Sequence, residues 1–309
     1  MLKTRRANPI LILLIALFSM ACTFGAGDST EVNSTVTDIK DTVKKSFKVR
    51  PGGTLFVDID HGNVDVRSHS GSEVLVEVER TVQTDNSESA KQIFNRHELA
   101  IEERSSNVYI ESRYDRDGGF WGKMTSGHKL KIRVLVRVPR EYDIDFSSGA
   151  GNVEIGDLSG RVSGSTGAGN VIIGAVKGKL KVSSGTGNMR IEGAEGSVEA
   201  STGAGNIEVR DVKGDVRIDT GAGNIEVFIT EQPRDDSRLS TGAGNVTVYI
   251  ASRVGVDVNA ETGVGSASTD FPLKVEGSFM KKSFAGDVNG GGPALRMRAG
   301  VGNVTLKKI

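Results

Sequence analysis

Apolar and polar residues alternate with period two along most of the chain after Ser46, and this pattern predicts strands rather than helices. Between Thr54 and Pro139 it runs through "TLFVDIDHGNVDVRS", "EVLVEVERTV", "NVYIESRY" and "HKLKIRVLVRVP", with Pro139 closing the last strand. One segment there, "TDNSESAKQIFNRHELA", has room for a single short helix with Ile93 and Phe94 on its buried side. From Ser147 onward the alternation becomes a repeat. The Asn of each G-x-G-N falls at Asn152, Asn170, Asn188, Asn206, Asn224 and Asn245, at spacings of 18 four times and then 21. A degenerate Ser266 follows at the longer of those two spacings, and Asn303 comes late. A fixed period near 20 is that of a solenoid, in which each repeat buries its apolar face only against its neighbours.

Offsets from each Asn show how one coil is built. Positions +1 and +3 hold pairs such as Val153/Ile155, Met189/Ile191 and Ile225/Val227, and +6 and +10 add Val176, Val212, Leu180 and Val216. About four aliphatic side chains per coil therefore point inward. Gly160, Gly178, Gly196 and Gly214 occupy +8; with the "GAG" they are expected to form the turns, since glycine accepts positive φ without a Cβ clash. Two strands per coil follow, with a third conceivable near +12 to +14. Eight coils at about 4.8 Å give a rod about 40 Å long. The fold class is all-β: an N-terminal β module leading into a parallel β-solenoid, or β-helix, of 18–21-residue coils.

The repeated Asn is expected to form a structural ladder, each amide bonding its equivalents above and below and capping turn backbone groups. The rival reading is a row of Ca²⁺ positions, but Ca²⁺ asks for carboxylates and the repeat offers a neutral amide with no regular Asp beside it. "GAGNVE" also imitates the start of a dinucleotide fingerprint; that motif opens a helix and occurs once, whereas this phrase recurs before β-branched residues. Outward positions mix charges, as in Lys181, Glu199 and Arg217, and a Ser/Thr band runs through Ser165/Thr166, Ser183/Ser184 and Ser201/Thr202. That band is read as a solvated flank, with a glycan-binding face as the alternative. No aromatic stripe and no lyase-like Asp cluster is expected on any face.

The first residues carry an address. Lys3, Arg5 and Arg6 precede the apolar "ILILLIALF", too short for a permanent span, and "SMAC" ends at the chain's single cysteine, Cys22. This order resembles a bacterial lipobox with Ser19 where Leu is usual, which implies lipidation of Cys22; ordinary cleavage nearby with loss of Cys22 is the alternative. Residues 1–21 are thus read as a signal peptide, 22–45 as a polar tether, 46–146 as the β module and 147–309 as the solenoid. Thr23 after the cysteine resembles the outer-membrane sorting pattern, if the host has two membranes. Lys and Arg balance Asp and Glu at 39 each, which removes any net field pointing to nucleic acid. With one cysteine there is no intramolecular disulfide to count on.

Catalytic motifs are missing: no G-x-S-x-G, no H-E-x-x-H and no Walker loop. His61 sits in "DHGNV", a variant of the repeat turn, and His128 near Asp115 and Asp117 matches no metal spacing. No metal and no cofactor is expected. The candidate binding loop is "RYDRDGGFWGKMTSGHK", Arg113 to Lys129, which gathers Tyr114, Phe120 and Trp121 among glycines and charges. Its alternative role is a hairpin loop whose Trp caps the open end of the solenoid.

"KIRVLVRVP" followed by "DIDFSSGAGNVEI" and the recurrent "TGAGNI-V" resembles the putative-adhesin family of bacterial envelope proteins, over roughly residues 46 to 309. The resemblance implies a β-solenoid body that is exported or membrane-tethered, and it brings no catalytic residues. The expected function is a non-enzymatic, envelope-anchored surface or scaffold protein. It would be held to the membrane by its lipid and would contact a glycan or an envelope protein. An envelope-stress signalling component and a degenerate polysaccharide-active enzyme are the alternatives.

Overall fold

The computed structural model describes residues 37–114, 130–277 and 281–309. The leader, Cys22, the first part of the tether, Phe120 and Trp121 lie outside them. In chain order the elements are β1 (Thr37–Lys48), β2 (Thr54–His61), β3 (Asn63–His69), β4 (Glu73–Thr84), α1 (Ser87–Arg96), β5 (His97–Arg104), β6 (Asn107–Tyr114), β7 (Leu130–Pro139), β8 (Asp143–Ala150) and β9 (Val153–Ile155). The strict repeats supply β10 (Val162–Ala168), β11 (Val171–Val176), β12 (Leu180–Thr186), β13 (Met189–Ala194), β14 (Val198–Ala204), β15 (Ile207–Val212), β16 (Val216–Ala222) and β17 (Ile225–Ile229). The chain continues through β18 (Ser237–Ala243), β19 (Val246–Ile250), β20 (Val256–Val264), β21 (Ala267–Thr269), β22 (Val275–Gly277), β23 (Lys282–Val288), β24 (Ala294–Val301) and β25 (Val304–Lys308).

Each coil gives one strand to each of two facing, mostly parallel sheets, so the fold is a β-solenoid. The sheets have 12 and 13 strands, ordered β1-β4-β7-β3-β9-β11-β13-β15-β17-β19-β25-β21 and β22-β23-β20-β24-β18-β16-β14-β12-β10-β8-β2-β6-β5. At about 4.8 Å per strand the rod is about 60 Å long, more than the repeats alone suggest. The reason is that residues 46–146 extend the same two sheets: β2 and β3 already form a coil, stacked in register on β8 and β9. Among the described residues no coil forms a third strand.

Both ends depart from chain order. The coil β2–β3 lies between β6–β7 and β8–β9, and the last coil, β24–β25, lies between β18–β19 and β20–β21. The late Asn303 is therefore an interior coil position. Ser266, earlier in sequence, sits outside it.

The inward side chains stack like on like. Val171, Ile173, Val176, Leu180 and Val182 are each at most 2% exposed, and most of their equivalents in the other coils join one continuous core. Burying an aliphatic side chain of this size contributes roughly 1.5–3 kcal/mol, which makes the core the main support of a disulfide-free rod. Glycine serves two purposes. The second Gly of each G-x-G-N is left-handed, as at Gly205 with φ 149°, and a Cβ there would lie 2.0 Å from the Gly187 carbonyl oxygen. The +8 glycines are not left-handed, contrary to the expectation of a positive-φ turn. They are required because the coils approach closely, a Cβ on Gly178 falling 2.5 Å from the oxygen of Gly160.

Two local readings change. Residues 37–45, read as tether, are the start of β1, paired antiparallel along β4. Their alternation is masked because the core-side row, Ile39, Asp41, Val43, Lys45 and Phe47, is only three-fifths apolar. Asp41 pairs with Arg80, and Lys45 Nζ donates to the Ile101 carbonyl at 2.8 Å, so both polar members are satisfied. In α1 the fully buried residue is Ala90, while Ile93 and Phe94 are only partly buried against the core.

Candidate functional site

The long edge formed by the G-x-G-N corners is the most regular surface of the rod. The Oδ1 of each Asn accepts the backbone N–H of the equivalent residue one coil further on. This bond recurs from Asn63 to Asn152 (3.0 Å), then through Asn170, Asn188, Asn206, Asn224 and Asn245 to Asn303, and ends at Ser266 (2.8 Å). The bonds run from side chain to backbone rather than from amide to amide. One amide-to-amide bond accompanies them, from Asn245 Nδ2 to Asn224 Oδ1 at 3.0 Å. Asn63 escapes the sequence repeat because a long excursion of chain separates it from Asn152, although "HGN" already carries the turn.

A second ladder lies just inside that corner. Ser184, Thr202, Thr220, Thr241 and Thr262 are buried, and each hydroxyl donates to the carbonyl of a left-handed glycine, at 3.3, 3.2, 3.1, 2.9 and 2.6 Å. Half of the Ser/Thr band read as an outward face is therefore interior. The register explains it: two consecutive strand residues cannot both face solvent. The outer half, Ser165, Ser183 and Ser201, remains on the surface.

Aromatic residues meet on outward positions in two separate pairs rather than as a stripe. Phe228 and Tyr249 stack with centroids 4.3 Å apart and planes within 1°, and Lys307 Nζ lies 5.4 Å from the Tyr249 centroid. Phe56 and Tyr109 stack at 4.7 Å, with Arg104 over Tyr109. The offset +4 from Asn224 and Asn245 carried the first signal. In each pair the tyrosine has one ring face on its aromatic partner and a cation near the ring.

The buried His–Ser contact is wired for structure. His97 Nε2 lies 2.8 Å from Ser112 Oγ, and both residues are buried. His97 Nδ1 faces Arg80 NH1 at 3.5 Å. Arginine only donates, so Nδ1 is the acceptor and Nε2 carries the proton. An imidazole holding its proton toward the hydroxyl cannot take one from it. Burial first, and then the Arg80 charge, push the His97 pKa down to about 4, while Asp60 opposes the shift.

On the opposite corner a shallow groove of about 330 Å³ is lined by Asp157, Ala175, Lys177, Glu195, Asp211 and Lys213, among others. Its acids are engaged: Asp157 Oδ1 accepts the Ala175 N–H at 2.8 Å, Asp211 Oδ1 accepts from Thr230 at 2.7 Å, and Glu195 pairs with Lys213 at 3.6 Å. Among the described residues no three His, Cys, Asp or Glu side chains gather to hold a metal ion, and no helix is long and apolar enough to cross a membrane.

Of the candidate binding loop, the described part is its root. β6 ends at Tyr114, opposite His97 in β5, and β7 starts at Leu130. Since Ser112 pairs with Ile59, β6 ends level with the His61–Gly62 corner of the adjacent coil. β6 thus ends at the corner bearing the Asn ladder, near one end of the rod. Phe120 and Trp121 lie outside the described residues.

The family model described as Toastrack DUF4097 matches residues 55–306. No curated protein matches the sequence. Solved structures to which the chain is similar include a putative adhesin from Bacteroides fragilis, at 16% identity, covering 87% of this chain and 97% of that one with a TM-score of 0.47. A putative adhesin from Parabacteroides distasonis is 11% identical, covers 87% and 97% of the two chains, and gives a TM-score of 0.35. A putative cell adhesion protein from Clostridium sporogenes is 16% identical, covers 87% and 100%, and gives 0.28.

Proposed function

The chain belongs to the Toastrack DUF4097 family, a domain of unknown function, and we propose that it is a non-enzymatic binding or scaffold protein, exported and anchored in the cell envelope through Cys22. The observation that carries this reading is how the rod uses its polar groups. The Asn amides, the corner hydroxyls, the His97–Ser112 pair and the groove carboxylates all hold one part of the rod to another. A rigid, regular rod of this kind suits display and contact better than turnover. In this reading the lipid on Cys22 holds the rod to a membrane, the outer one in a two-membrane host. The contact with a glycan or envelope protein centres on residues 113–129.

Trp121→Ala in the full-length protein tests the contact. Aromatic side chains dominate binding hot spots, so attachment to envelope preparations should fall at least tenfold with the melting temperature unchanged. A clear fall in melting temperature would instead identify Trp121 as a cap. Anchoring is tested separately: Cys22→Ser should release the protein from membranes or leave it unprocessed, and wild-type fractionation and migration would refute it.

A further inference from the structure

The last coil occupies a slot that the repeat does not require. Ser266 follows Asn245 at the same spacing that separates Asn245 from Asn224, so β20–β21 has the reach to stack directly on β18–β19. The polar ladder would also close without the insert. Asn245 Oδ1 now accepts the Asn303 N–H at 2.9 Å, and Asn303 Oδ1 accepts the Ser266 N–H at 2.8 Å; with the insert gone, Asn245 would meet Ser266. Instead β24 pairs in parallel with β18 on one side and β20 on the other, burying Leu295, Met297 and Ala299 to within 1% exposure.

Two further observations concern how the insert is held. It hangs from Asn289-Gly290-Gly291-Gly292-Pro293, whose first four residues have φ of 52°, 94°, 77° and 155°, a stretch in which three glycines can re-aim the chain at little steric cost. Two cations of the insert meet acids of the walls, Arg296 pairing with Asp236 at 3.1 Å and Arg298 with Glu261 at 3.3 Å, and the Ala294 N–H donates to Asp236 at 3.0 Å, although Arg238 of β18 lies beside Arg296 in register. The slot therefore selects this sequence by apolar register and by charge.

We infer that the slot between β18–β19 and β20–β21 is a strand-exchange site, filled in cis in this structure and able to take the last coil of a second copy of this chain. A coil on a glycine hinge, inserted between walls that can close without it, is suited to exchange between protomers. Reciprocal exchange gives a closed pair of rods joined near the ends distant from β1. The inference stands independently of the binding reading above.

Full-length chains carrying Cys22→Ser and one new cysteine each test it. Ser240 and Arg298 are register partners on adjacent strands, about 4.8 Å apart and within reach of a disulfide. A mixture of Ser240→Cys and Arg298→Cys chains, oxidised after long incubation at high concentration, should yield mixed disulfide dimers at least tenfold above a Lys181→Cys and Arg298→Cys mixture. Deleting Gly290 and Gly291 should raise that yield by shortening the reach in cis. A chain bearing both Ser240→Cys and Arg298→Cys reports folding, since it should close its own disulfide when dilute. Mixed dimers no more abundant than the control, a yield unmoved by the deletion, or a double mutant that fails to close would each overturn the inference.

Discussion

At Gly205 a side chain is excluded by two separate conditions, a left-handed φ of 149° and a neighbouring carbonyl 2.0 Å from any Cβ. Gly205→Ala should therefore cost about 3–5 kcal/mol in urea unfolding, combining backbone strain with overpacking. Gly52 shares the left-handed backbone at φ 81° but has open space around it, so Gly52→Ala should cost only about 1 kcal/mol. The Asn ladder is less demanding because its side chains are exposed and a freed N–H can turn to water. Asn206→Ala should cost about 0.5–1.5 kcal/mol, and Asn303→Ala the same, because both are followed by another coil. Melting curves of the two variants check this, and a much smaller shift for Asn303→Ala would place it at an end of the stack. His97 gives a pH dependence. Its folded pKa of about 4 lies below the ordinary 6.5, so unfolding takes up a proton between those values. Stability should be complete above pH 6.5 and fall on acidification toward pH 4, by at most about 3 kcal/mol, and His97→Gln should flatten that slope.

Among the elements, the strict coils were legible in the sequence because their signal is local: strand, glycine corner and strand recur at one fixed spacing with like residues at like offsets. β1 was not, since Asp41 and Lys45 interrupt its core-side row and find their partners, Arg80 and Ile101, far along the chain. The hydroxyl ladder was only half legible. The band of Ser and Thr was visible, but which of two adjacent residues faces inward depends on register, and a one-residue shift exchanges the faces. The Phe228–Tyr249 stack was missed because the two rings belong to successive coils and meet only when those coils stack. For the candidate site, residue types were readable where their use was not: His97 and Ser112 show no motif spacing, and only Arg80 beside Nδ1 reveals that the pair is structural. Arg80→Ala should accordingly raise the His97 pKa as well as remove the Asp41 ion pair, and NMR titration of the imidazole checks the direction.

For the whole molecule, chain order and spatial order agree in the middle and part at both ends. The coil β2–β3 is enclosed by later strands, and β24–β25 is enclosed by earlier ones, so the rod buries its first and last coils instead of leaving them as edges. Exposed sheet edges invite pairing with other chains, and burial of these two coils leaves β1, β5, β21 and β22 as the edge strands among the described residues. The short β21 and β22 present little edge, and β1 carries four lysines and two aspartates. Such a rod gains its rigidity from coil-to-coil bonds that repeat along its length. Native-state amide hydrogen exchange reads those bonds one by one and tests that claim most directly. The amides of Asn206, Asn224, Asn245 and Asn303 should all be protected to within about tenfold of one another, with Val304 and Leu306 as slow as Ile225 and Val227. Rapid exchange at Asn303, Val304 and Leu306, as in a frayed terminus, would contradict the account.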